Sequence, residues 1–269
     1  MRQWTVDAFA DRPFMGNPAA VLQPLDTWPD AGWMQSLAAE NKHSETAFLR
    51  TTADPARFHL RWFTPTTEVS LCGHATLSAA HVLWRELGLD TRRLTFDTAS
   101  GPLTVDRFGE GYEMNFPADP LTRVETPAGL AEALGAEPLE VWASRYLIAI
   151  MADAKTVREL TPDIPALMAF GEGAMESGQV IAAALADTGD GVDVVDRFFG
   201  PGCGVDEDPA TGSARCGLAP LFAIKLGRTN LTFEQVYPGR GGRFETDLVG
   251  DRVLIRGHAV TVMGSVLRF

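Results

Sequence analysis

Arg61-Trp-Phe-Thr-Pro65, then Cys72-Gly-His-Ala-Thr-Leu-Ser-Ala-Ala-His-Val-Leu-Trp-Arg-Glu-Leu-Gly88, then Leu94-Thr-Phe96: this pattern occurs twice in the chain. The second copy reads Arg197-Phe-Phe-Gly-Pro201, then Thr211-Gly-Ser-Ala-Arg-Cys-Gly-Leu-Ala-Pro-Leu-Phe-Ala-Ile-Lys-Leu-Gly227, then Leu231-Thr-Phe233. Gly73 to Gly88 spans the same interval as Gly212 to Gly227. Two copies so far apart do not make a solenoid. They imply two similar half-domains facing each other across a cleft, with the chemistry at the helix starts.

Working outward, Ala75 to Leu87 and Ala214 to Leu226 read as helices that are apolar on nearly every side, and such helices are buried. Gly88 and Gly227 stand where helices stop. Pro220 lies inside the second helix and predicts a kink there. Short strands are expected over Trp4–Phe9, Ala19–Leu22, Glu45–Leu49, Ala56–Phe63, Leu94–Phe96, Gly101–Asp106 and Tyr112–Phe116. Pro29 to Glu40 has helical spacing. Pro117-Ala-Asp-Pro120 is the candidate linker. Beyond it, Pro127–Leu134, Pro138–Trp142 and Ile164–Phe170 read as short helices. Arg145–Met151, Gln179–Ala186 and Val192–Phe199 read as strands. Each half thus offers several strands and one buried helix, a duplicated α+β arrangement.

The 269 residues are 45% hydrophobic and 22% charged, a soluble globular balance. A net charge of −12 repels phosphate backbones and argues against nucleic-acid binding. The three cysteines, Cys72, Cys203 and Cys216, do not form a disulfide framework or a metal-ligand spacing. The N-terminus has no apolar run of a secretory signal, and no segment has the length of a membrane span. The expectation is a cytoplasmic protein, away from membranes.

Gly73-His74 and Gly212-Ser213 sit at helix heads, whose first amides lack intrahelical partners and carry the positive end of the helix dipole. In an acidic protein such heads suit a small carboxylate. Capping alone also explains one such head. Glu45 enters an apolar strand, and Asp206-Glu-Asp208 precedes the second head. Carboxyls in such places suit general acid/base work, although a strand-end glutamate and a dipole-matching acid cluster are the plainer readings. His74 is placed to meet a bound anion or shuttle a proton, whereas His81 reads as core. Cys72, beside a helix head, is either a reactive thiol or a small buried hydrophobe. Gly200-Pro-Gly-Cys-Gly204 lacks a dinucleotide-binding spacing and is followed by acids, so it does not cradle phosphate.

Together, Asp7-Ala-Phe9, Phe14-Met-Gly-Asn-Pro-Ala-Ala-Val21, Ser44-Glu-Thr-Ala-Phe48, Arg61-Trp-Phe-Thr-Pro65, Gly73-His-Ala-Thr76 and Asp208-Pro-Ala-Thr-Gly-Ser213 resemble the PhzF-like (phenazine biosynthesis-like) isomerases of the diaminopimelate epimerase superfamily. The resemblance runs nearly end to end. It implies two similar lobes, each a curved mixed sheet wrapped around a central buried helix, and usually a homodimer. The lobes are expected at 1–117 and 118–259, with the last strand, 260–269, returning to the first. The family's catalytic glutamate falls on Glu45, its histidine and aspartate partners on His74 and Asp208, and its substrate-contacting serine on Ser213. Asn17, Ser44, Gly73, Thr211 and Gly212, in the same segments, complete the candidate substrate-binding set.

The implied activity is cofactor-independent isomerisation of a small carboxylate-bearing molecule, with Glu45 as general acid/base in the inter-lobe cleft. Superfamily epimerases instead use two thiols. Cys72 matches one of them, but Asp208-Pro209 stands where the other belongs. The alternatives are an asymmetric amino-acid epimerase or racemase using Cys72 and a non-catalytic small-anion-binding protein.

Overall fold

The computed structural model describes residues 1–171 and 175–268. The chain divides into two compact units, one of Met1–Phe116 with Ile255–Phe269 and one of Pro117–Leu254. Phe269, at the end of the expected returning strand, lies outside the described residues.

In the first unit, β1 (Arg2–Ala8) is buried on both faces from Gln3 onward, which is why its alternation is weak in the sequence. It pairs antiparallel with β2 (Asn17–Leu22). Helix α1 (Ala31–Asn41) follows, capped by the Asp30 carboxylate on the Gly32 and Trp33 amides and ended by Lys42 in the left-handed region. It buries Met34, Leu37 and Ala38 against Leu22, Phe48 and Phe63. The next strands are β3 (Glu45–Thr51), parallel to β2, and β4 (Arg57–Phe63), antiparallel to β3. β5 (Glu68–Val69) folds back on β4. Helix α2 (Gly73–His81) is buried at every residue and packs on β1, β2 and β3. Its last turn, Val82–Glu86, widens to π geometry, with Leu87 N–H reaching Val82 O at 3.0 Å, and Gly88 closes it at φ +71°. β6 (Arg93–Thr98) runs parallel to β4, and β7 (Gly101–Phe108) and β8 (Gly111–Pro117) continue antiparallel.

The second unit repeats this order. β9 (Thr122–Val124) flanks β10 (Glu140–Ala143), with α3 (Leu130–Leu134) between them in sequence. β10 pairs antiparallel with β11 (Leu147–Ile150). The sequence predicts a helix over Pro138–Trp142, but those residues enter the sheet: Val141 faces the core, and Glu140 and Trp142 pair with Ile150 and Ile148. Helices α4 (Ala154–Glu159) and α5 (Ile164–Leu167) lead to β12 (Val180–Leu185), parallel to β11. α4, six residues long and capped by Asp153 on the Thr156 amide, was not read from the sequence. β13 (Val194–Gly200) is antiparallel to β12 and to β14 (Val205–Asp208), and parallel to β15 (Asn230–Gln235), which pairs with β16 (Gly242–Val249).

Helix α6 (Ala214–Leu226) joins β14 to β15 and runs unbroken through Pro220. Proline at this position leaves the Cys216 carbonyl without its helical donor. The Asp119 amide supplies one instead, at 3.0 Å, so the backbone group stays satisfied. β17 (Arg252–Gly257) carries the chain back, and β18 (Ala259–Val266) pairs antiparallel with β1 in the first unit. His81 of α2 fixes this return by bonding Thr261 Oγ1 at 3.0 Å.

The pairings β1–β2–β3–β4–β6–β7 and β10–β11–β12–β13–β15–β16 have the same sequence of antiparallel and parallel contacts. The internal repeat is therefore a repeat of topology, and the architecture is α+β with mixed sheets.

Candidate active site

In the first unit the site is built where β2 and β3 start and α2 begins. The β1–β2 turn is tightly wound. Phe9, Phe14 and Gly16 all take positive φ, and the buried Asp7 carboxylate accepts the Phe14 amide at 2.7 Å. At Gly16 a β-carbon would lie 2.0 Å from the Ala8 carbonyl, so only glycine fits. The turn delivers Asn17, fully buried, onto the His74 ring: Asn17 Nδ2 is 3.1 Å from His74 Nδ1. Cys72 Sγ approaches the same nitrogen at 3.5 Å. The Asn17 amide nitrogen can only donate, so Nδ1 accepts and the ring proton sits on Nε2.

Nε2 faces the other way, 3.0 Å from Glu45 Oε2, with the histidine side chain 5% exposed and the glutamate 14%. The two lie at ion-pair distance without an in-line hydrogen bond. Glu45 opens β3 opposite Ala19 of β2, directly after the left-handed Lys42 and the half-buried Ser44. At the head of α2, Cys72 is extended and its side chain makes no capping bond; its carbonyl instead accepts the Thr76 hydroxyl at 2.5 Å.

Glu45, Cys72 and His74 present ligand atoms within 4.8 Å of one another, a donor set zinc accepts. However, Cys72 and Glu45 lie against opposite nitrogens of the ring. A single ion would need the ring to turn away from Asn17, so the geometry fits a histidine that links two groups better than it fits a metal centre.

In the second unit, Asp208 ends β14 and is buried, with the Thr211 hydroxyl on its Oδ2. Gly212 and Ser213 lead into α6, and Ser213 Oγ meets Tyr146 Oη at 2.8 Å. Burial pushes the Tyr146 phenol far above its ordinary range, so it stays neutral. Of the acid triplet, Glu207 is held by Arg197 through paired bonds of 2.7 and 2.9 Å and Asp206 is exposed, so Asp208 is the inward-held member. Cys216 is core, its thiol pushed by burial up to about 12. His81 is core too: with the Thr261 hydroxyl donated to Glu86, His81 Nε2–H donates to Thr261 Oγ1 and Nδ1 accepts from Tyr112, and burial pushes the ring down to about 4.

Sequence reasoning did not reach Tyr146, Arg215 or Gln235. Gln235 has no motif around it, and Arg215 reads as one charge on an apolar helix.

A family model described as phenazine biosynthesis-like protein matches residues 6–265. The chain belongs to the phenazine biosynthesis-like family. An uncharacterized isomerase of Pseudomonas aeruginosa is 45% identical, with 97% of this chain and 96% of the relative covered. A second uncharacterized isomerase of that organism is 42% identical over 98% and 97%. Among solved structures, a PhzF-family phenazine biosynthesis protein from Enterococcus faecalis superposes with a TM-score of 0.90 at 38% identity, covering 99% of each chain. That family member therefore shares this chain's fold from end to end. No helix among the described residues is long and apolar enough to cross a membrane.

Proposed function

We propose that the protein is an isomerase that moves a proton between two positions of a small carboxylate-bearing molecule, with Glu45 as the group that takes and returns it. The observation that carries this reading is the Glu45–His74 pair at 3.0 Å, its histidine buried and its glutamate partly open. Its carboxylate oxygen has no aligned hydrogen-bond donor and so has a lone pair to offer a substrate C–H. Glu45 removes that proton, and the electron pair of the broken C–H bond shifts into the substrate's adjoining unsaturated system. The Glu45 carboxyl then delivers the proton to a second carbon, and the carboxylate is regenerated. The sequence balances with the side chain alone, so no cofactor is required.

His74, with its proton on Nε2 facing the carboxylate, orients Glu45. The head of α2 supplies partial positive charge for the substrate carboxylate. Asp208 is proposed as a second proton-handling group and Ser213 as a substrate contact, on the strength of the family pattern. The relatives named as isomerases support the reaction class.

Cys72 against His74 Nδ1 favours a second reading, an epimerase in which Glu45 and Cys72 serve opposite faces of one carbon. Incubation in D2O with a panel of cyclic amino and hydroxy-amino acids, followed by mass spectrometry, separates the two. Glu45→Gln should lose roughly 10²–10⁴-fold in exchange rate, and Cys72→Ala should retain most of it. If Cys72→Ala abolishes exchange while Glu45→Gln keeps it, the thiol epimerase replaces the isomerase.

A further inference from the structure

Behind Asp208 lies a chain of buried polar groups whose hydrogen-bond directions are all determined. Arg215 and Asp196, both 0% exposed, form a two-pronged ion pair, with Nη1 to Oδ2 at 2.7 Å and Nη2 to Oδ1 at 2.5 Å. The guanidinium carbon lies over the rings of Phe233 and Phe244, 4.9 and 4.3 Å from their centres. Nη2 also reaches Gln235 Oε1 at 3.3 Å, and the Thr211 amide reaches the same atom at 2.7 Å. Guanidinium and amide N–H only donate, so that atom of Gln235 is its oxygen. The other end of the amide meets the Asp208 carbonyl at 2.6 Å, which only accepts, so that end is nitrogen. Gln235 Nε2 then donates its second hydrogen to Thr211 Oγ1 at 3.0 Å. With its oxygen already accepting, the Thr211 hydroxyl directs its own proton onto Asp208 Oδ2.

We infer that Gln235, oriented by the buried Arg215–Asp196 pair, is a positioning residue that turns the Thr211 hydroxyl toward Asp208 and so holds that carboxylate as an acceptor in one fixed rotamer. Its importance for turnover rests on the proton-handling role proposed for Asp208. The relay itself stands on geometry. Gln235 is fully buried, and a buried amide whose four partners are all satisfied is stiff. Of the neighbouring acids, Glu207 is bound by Arg197, and Glu234 by Arg158.

The test is a pH titration of the Asp208 side-chain carbon by NMR, assigned through Asp208→Asn and run without any substrate. Thr211→Val removes the donated proton without adding charge. Gln235→Glu keeps the acceptor for Arg215 and the Thr211 amide but offers a second acceptor, drawing the Thr211 hydroxyl away from Asp208. Both should raise the Asp208 midpoint by about one pH unit, and Thr211→Ser should leave it at the wild-type value. If Thr211→Val and Gln235→Glu fold, by near-UV circular dichroism, and titrate like wild type, the relay is refuted. If either fails to fold, Thr211→Ser against Thr211→Ala decides it by the same criterion. The D2O exchange assay separates this from the reaction itself. Raised midpoints with no exchange in any protein uphold the relay and reject the isomerase. Wild-type midpoints with intact exchange do the reverse.

Discussion

The two βαβ segments that dominate the sequence share a path but not a solution. In each, a strand, a buried helix and a parallel strand follow one another, β4–α2–β6 and β13–α6–β15. Aligning the repeats puts Leu60 beside Asp196, Thr76 beside Arg215, Thr98 beside Gln235 and His81 beside Pro220. The first copy is sealed with an aliphatic residue and short hydroxyls; the second holds a fully buried ion pair and an amide. At the helix heads the same geometry recurs with different chemistry. The start of β2 places Asn17 on His74, and the residue before β11, Tyr146, contacts Ser213. One head therefore carries an ionisable ring against a carboxylate, and the other a neutral hydroxyl pair backed by a relay. The two halves share a frame of strand pairings and differ in the side chains set within it.

The largest effect should come from breaking the pair that distinguishes the second copy. Asp196→Asn or Arg215→Met alone leaves one charge buried without its partner and should cost about 3–5 kcal/mol in urea unfolding. Asp196→Leu with Arg215→Met, which imitates the first copy's apolar packing, should recover most of that loss. A double variant as unstable as either single one would mean that the pair is needed for packing and not only for charge balance.

The second effect belongs to His81. Burial is the main cause of its depressed titration, with Glu86 opposing and Arg85 assisting. Its folded value of about 4 lies below the unfolded value of 6.5. The unfolded chain therefore takes up the proton first as pH falls. Stability present above pH 6.5 is lost progressively down to about pH 4, by about 3 kcal/mol in total. His81→Gln should flatten that part of the stability curve. An unchanged slope would place the pH dependence elsewhere.

A smaller effect tests how the two heads are delivered. The first relies on the compressed turn ending at Gly16, whereas the β10–β11 turn has no positive-φ residue at 144–146. Gly16→Ala should cost about 1–3 kcal/mol and shift the His74 ring-nitrogen resonances as Asn17 moves. If stability falls with those resonances unchanged, the turn is structural and does not hold Asn17 in place.

These contrasts mark what the sequence could carry. The repeat, both buried helices and the stop glycines were legible because apolar periodicity and turn chemistry are local. Glu45 and His74 stood out through family motifs, but their approach to 3.0 Å depends on β3 lying parallel to β2, a non-local pairing. Trp142 and Glu140 read as helix because a strand this short has no clear period. Gln235 was invisible because a lone glutamine at a strand end has meaning only through Thr211, Arg215 and Asp208.

The smallest effect concerns the His81–Pro220 contrast. Proline within a helix costs about 3 kcal/mol relative to alanine when its loss of an amide goes uncompensated. In α6 the orphaned Cys216 carbonyl takes the Asp119 amide at 3.0 Å, and the helix runs through without a break in its assignment. Asp119 is itself fixed by Arg145, and burial raises its carboxyl above the ordinary range despite that partner. Pro220→Ala restores the helical donor, and a carbonyl with two lone pairs accepts both amides. The change should therefore alter stability by less than about 1 kcal/mol. Amide hydrogen exchange at Asp119 should remain slow. Fast exchange there, together with a gain near 3 kcal/mol, would show that Pro220 strains the helix and that the Asp119 bond does not compensate for it.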